Sequence, residues 1–146
     1  MPKDFPDHHD AELVLRLYEL RRDPVMRDSR DAMFTKFMPK TYDDLKAVAT
    51  NNANPLNAAY RQTTSYWEMV YGMAKHGILH TDFLMESAGE GLYLYAKALP
   101  WLDKLRADTN RPQLFQNYEW VVNNSAVAKA SFARITAAVE KLRSAK

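Results

Sequence analysis

The chain contains no cysteine in its 146 residues. Disulfides, zinc–thiolate centres and thiol nucleophiles are thereby excluded. Glycine is scarce, at four residues, and the seven prolines stand almost entirely at segment edges. So few breakers inside the segments favour long helices. A strong charge of one sign is also missing: the formal net charge is +2, whereas a nucleic-acid surface carries a basic stripe. No apolar run approaches the roughly 18 residues that span a bilayer. The acidic opening MPKDFPDHHD has no apolar core of the kind a secretory signal needs. There is no Gly-rich phosphate loop, no Gly-x-Ser-x-Gly and no His-Glu-x-x-His element. No glutamate is followed by histidine at the spacing used by di-iron bundles. These absences lead us to expect a cytoplasmic protein with no cofactor and no metal, and with neither nucleic acid nor membrane as a partner.

What is present is an ordinary core-forming composition, 47% apolar and 26% charged. A chain of this size can bury roughly 70% of its unfolded surface without staples. We expect one all-α domain over residues 1–146, an irregular bundle of about six helices, with residues 1–9 as a flexible N-terminal segment.

The helical segments announce themselves by spacing and caps. Leu13, Leu17 and Leu20 recur on one face of a first segment, Asp10 to Arg22. Asp23-Pro24 reads as an N-cap followed by proline at the first helical position. The second segment runs from there to Phe37, and Pro39 ends it. Thr41 caps a short third segment, with Asp44 in the place of a capping-box glutamate. Asn54-Pro55 repeats the cap-plus-proline signal. Behind it Leu56, Tyr60, Thr63, Trp67, Val70 and Ala74 alternate steps of four and three, which predicts a central helix closed by Gly77. Gly72 inside it predicts another helix crossing close by. Thr81 opens a further segment, Gly89 and Gly91 predict a bend or break, and Pro100 predicts a kink before Leu102. Arg111-Pro112 predicts a helix start leading through Phe115 and Tyr118 to Val122. Asn124-Ser125 separates it from a last helix, Ala126 to Arg143.

Candidate sites are few. His76 and His80 flank Gly77, so they do not share a helical face. The cluster DHHDAE, Asp7 to Glu12, has metal-ligating side chains but sits at a chain end, without ligands from several packed elements. We assign no metal ligand and no catalytic residue. Glu68 is the one acid within the most apolar helix. It reads as a solvated glutamate, or as a partly buried one paired with Arg27 or Arg30 of the second segment. Glu68 with Tyr60, Trp67 and Tyr71 forms the candidate ligand-binding set. The aromatics can equally build the core or an interface, where Tyr, Trp and Met are favoured.

The run YWEMVYGMAKHGILHTDFL, followed by LYLYAKALPWLDKLR, resembles a family of bacterial helical proteins grouped under a domain of unknown function, DUF4760. The matching residues are Trp67, Glu68, Gly77, Ile78, Leu79, Asp82 and Trp101, within a resemblance spanning about Leu13 to Trp120. It implies an all-helical domain and no assigned activity. Some members of that family carry an N-terminal membrane span, and no such run occurs in this sequence.

The sequence therefore favours a non-enzymatic protein-association module, with a helical small-molecule-binding or enzymatic pocket around Glu68 and its neighbouring tyrosines as the alternative. Eight Tyr, three Trp and seven Met exceed what one core easily hides. We expect a homodimer or another protein partner, with the terminal helix or the Tyr93 to Trp101 helix as the contact.

Overall fold

Asp23 accepts N–H bonds from Val25 (3.0 Å) and Met26 (3.3 Å), and Pro24 takes the first helical position. In the computed structural model, which describes residues 3–145, this start gives α2, Pro24–Thr35. Thr41 and Asp44 exchange side-chain and backbone bonds to open α3, Tyr42–Thr50. Asp7 and Asp10 do the same for α1, His8–Arg21, so that helix starts slightly earlier than the leucine spacing suggests. Asn54 Oδ1 accepts from Leu56 N at 2.9 Å in the turn before α4, Asn57–Lys75. Gly77 follows α4 at φ 75°, a left-handed position open to glycine at no steric cost.

The remaining helices are α5 (Thr81–Met85), α6 (Gly91–Ala98), α7 (Leu102–Asp108), α8 (Gln116–Asn124) and α9 (Ala126–Ser144), with a 3-10 turn at Leu99–Trp101. The expected count of about six is therefore too low among the described residues. The glycine break and the 3-10 turn at Pro100 divide Thr81 to Asp108 into three short helices. No strand occurs among the described residues. None of the described helices is long and apolar enough to cross a membrane.

The helix α4 stands at the centre, packed against α2, α8, α3, α6 and α5. Trp67, Val70, Tyr71 and Ala74 from this helix are fully enclosed, in one cluster with Met33 of α2, Phe37 just beyond it, Leu45 of α3, Leu92 of α6 and Tyr118 of α8. The last helix, α9, closes over α6 and α8. Gly72 permits the close crossing of α8 that its position predicts: a Cβ there would stand 2.9 Å from Asn117 Nδ2.

Polar groups pin the helix ends. The Arg30 guanidinium takes Glu90 with two bonds, 2.7 and 2.8 Å, and also donates to Arg21 O at 3.2 Å. The expected pairing of Glu68 with Arg27 or Arg30 is thus replaced, because Arg30 is committed to the loop before α6. Lys97 is buried on α6 and donates to Met33 O (3.0 Å) and Phe34 O (3.2 Å), carbonyls the last turn of α2 cannot satisfy itself. Burial lowers its pKa to about 8. The expected flexible segment 1–9 begins outside the described residues. Within them, Lys3 Nζ donates to Asp10 Oδ2 at 2.8 Å and α1 has begun by His8.

Candidate functional site

The residue Phe115 adopts φ 60°, in the left-handed region, immediately before α8. That backbone costs a non-glycine residue about 1–2 kcal/mol. Packing holds it there. The Phe115 ring is 4% exposed and lies 4.7 Å from the Tyr118 ring and 6.1 Å from that of Tyr95. Arg106 fixes the residue before it, donating Nε and Nη2 to Leu114 O at 2.9 and 2.7 Å. Asn110 is also left-handed, at φ 52°. The chain between Asn110 and Phe115 therefore runs as turns, and the helix expected from Arg111-Pro112 begins only at Gln116.

This displaced segment leaves a cleft of about 730 Å³ against the N-terminal half of α4. That volume is within the range of small-molecule sites. Leu105, Leu114 and Phe115 give it apolar surface, and Arg61, Arg111 and Gln116 give it polar groups. The end of α3 forms its remaining side, through Ala49 and Thr50.

Two of the four candidate residues, Tyr60 and Glu68, line this cleft together. Tyr60 is 7% exposed, with its ring edge-on to Phe37 at 5.8 Å. Three other enclosed tyrosines donate to carbonyls, Tyr66 to Leu17 O (2.6 Å), Tyr71 to Ala88 O (2.7 Å) and Tyr118 to Thr64 O (2.8 Å), whereas the enclosed Tyr95 makes no such bond among the described residues. The Tyr60 hydroxyl has no such partner among the described residues, and its residue lines the cleft. Burial pushes its pKa upward, and the nearby Arg111 charge pulls against that rise.

Glu68 has a different task from the one its sequence position suggests. The helix α8 has no side-chain cap of its own, since Phe115 occupies the N-cap. Glu68 supplies one from α4: its Oε1 accepts the Asn117 N–H at 2.8 Å, and Asn117 Nδ2 donates to Glu68 O at 3.0 Å. A carboxylate at a helix N-terminus also meets the positive end of the dipole. Burial raises the Glu68 pKa, and the Asn117 N–H opposes it. The side chain stands on a ridge between the cleft and a second groove of about 410 Å³ along Met69 and Ile78.

The other two candidates, Trp67 and Tyr71, do not reach the cleft. They share the face of Tyr60 but lie about 10 and 16 Å further along α4. There α6 covers them, and they are 1% and 0% exposed. Their place is in the core. Among the described residues no group of histidine and acidic side chains is arranged to hold a metal. His80 instead caps α5, its Nδ1 accepting from Phe83 N at 3.0 Å. The Arg111-Pro112 pair has the local chemistry of a helix start, and nothing in its spacing signals a cleft.

No curated protein and no solved structure matches the chain. A family model described as "Domain of unknown function (DUF4760)" matches residues 6–125, a span that includes every cleft residue named above and stops before α9. The chain belongs to that DUF4760 family.

Proposed function

We propose that the protein is a small-molecule-binding helical module, with its ligand held in the cleft beside α4. The single observation that carries this reading is Tyr60, a nearly enclosed residue in the wall of a concave site whose hydroxyl has no protein partner among the described residues. A buried tyrosine hydroxyl ordinarily finds a hydrogen-bond partner. A ligand polar atom would complete this one. The left-handed backbone at Phe115 supports the same reading, since strain of this kind clusters where a site is being shaped. A fragment library screened by amide chemical shifts tests it. Hits should move signals around Tyr60, Thr64 and 109–116, and Ser65→Trp, which plugs the cleft from an exposed helix position, should weaken them tenfold or more. Hits scattered over the surface, or unchanged by the plug, would sink the reading.

Self-association is a second reading, favoured by Leu15 and Tyr18, one turn apart on α1 and 66% and 51% exposed. The partner would be a second copy of this chain. The Tyr93 to Trp101 contact is a poor candidate, because α6 is almost wholly buried beneath its own chain. We expect sedimentation at micromolar concentration to show a dimer that Leu15→Glu converts to monomer. A monomer mass constant with concentration would remove this reading.

A further inference from the structure

Two arginines, Arg61 and Arg111, line the cleft. Arg21 and Arg30 reach Glu90, and Arg106 reaches Asp103 and Glu119. Neither Arg61 nor Arg111 has a carboxylate within 4.0 Å among the described residues. Among the described residues Glu68 is the one acid lining the cleft, and its Oε1 is committed to Asn117 N.

Arg61 is also held in place. Its Nε donates to Asn57 Oδ1 at 2.9 Å, and the buried Asn57 is itself anchored by Nδ2 to Val48 O at 2.8 Å. The bond fixes one edge of the guanidinium and leaves its terminal N–H groups available. Arg111 lies near enough to Tyr60 for its charge to act on the hydroxyl. A phenol and two guanidiniums thus line one cleft together with Leu105, Leu114 and Phe115. Guanidinium N–H forks match the oxygens of carboxylates and phosphates, and such charge-assisted bonds are about twice as strong as neutral ones.

Resting on the cleft reading above, we propose that Tyr60, Arg61 and Arg111 form a subsite for the oxyanion of an amphiphilic ligand whose apolar ring or chain lies along Leu105, Leu114 and Phe115. The Tyr60 hydroxyl donates to one oxygen and the arginines neutralise the charge. The head is a carboxylate or a phosphate, and the body supplies the apolar contact.

Three probes of one shape separate the terms: 2-naphthoate, 2-naphthyl phosphate and the neutral 2-naphthylmethanol, each titrated into the intact chain by calorimetry. We expect at least one anion to bind tenfold or more tightly than the alcohol, and the tighter anion identifies the head. Arg111→Gln should remove that advantage while leaving alcohol binding unchanged, and Tyr60→Phe should reduce it severalfold. Circular dichroism checks that both variants stay folded. Equal binding of all three probes would overturn the subsite while leaving the cleft standing. An anion preference untouched by Arg111→Gln and Arg61→Gln would also overturn it. Failure of all three to bind at millimolar concentration would overturn the subsite and count against the cleft itself.

Discussion

Gly91→Ala lowers the stability of this fold by about 3 kcal/mol, at the upper end of what overpacking costs. The reason is the approach of α6 to α4. A Cβ on Gly91 would stand 2.7 and 2.9 Å from Trp67 Cγ and Cδ2 and 2.5 Å from Tyr71 Oη. Those rings are 1% and 0% exposed, so neither can move without displacing its neighbours. Trp67 packs against Tyr66 at 5.0 Å and Tyr71 at 5.7 Å, and Tyr71 against Tyr118 at 5.1 Å. Tyr71 also donates to Ala88 O at 2.7 Å, a bond lost if the phenol swings away. The helix must therefore back off, opening the centre of the core. Urea unfolding measures the cost, and the melting temperature should fall by roughly 10 °C. Gly89→Ala is the matched control, since nothing lies within 4 Å of its added Cβ. It should change stability by less than about 0.5 kcal/mol. Equal losses in the two variants would refute the packing account.

The same face of α4 shows what local pattern can and cannot specify. Tyr60, Trp67 and Tyr71 recur at spacings of seven and four, so a shared helical face is written into the sequence. Which stretch of that face becomes core depends on where α6 lands, and that is set by Gly91 fitting over the indole far along the chain. The stretch that α6 does not reach, at Tyr60, borders the cleft instead. Termini were legible because caps are local: Asp23-Pro24, Thr41 with Asp44, and Gly77 each act within one turn. The start of α8 was not, because its carboxylate cap comes from Glu68, 49 residues away. Arg111-Pro112 had the local chemistry of a helix start, and the burial of Phe115 together with the hold of Arg106 on Leu114 O overrode it. Lys97 is a similar case, a lysine in an apolar run whose burial follows from the unsatisfied carbonyls of α2.

Asp10→Asn costs about 3 kcal/mol at neutral pH, and the cost shrinks in acid. Asp10 is completely enclosed. Its carboxylate accepts Asp7 N, Lys3 Nζ and His80 N, each at 2.8 Å. It therefore closes the cap of α1 and ties that helix to the residue that caps α5. Burial alone would raise its pKa, but the Lys3 ammonium and the two N–H groups outweigh burial and hold it at about 2, against 3.8 for the free side chain. An asparagine in its place presents one acceptor oxygen and turns an NH2 group toward donors, so at least one buried N–H is left unpaired. The sign of the pH dependence follows from the lowered value. A carboxyl with a folded-state pKa below its unfolded one contributes stability that is fully present above about 3.8 and is lost as the pH falls through about 2. Wild type and Asp10→Asn should therefore differ most at pH 5 to 7 and converge between pH 4 and 2, as the carboxylic acid comes to resemble the amide. Urea midpoints measured at half-unit intervals across that window read the convergence directly. A gap that stayed constant from pH 7 to pH 2 would mean that the charge of Asp10 contributes nothing, leaving only the shape of its side chain to explain the loss.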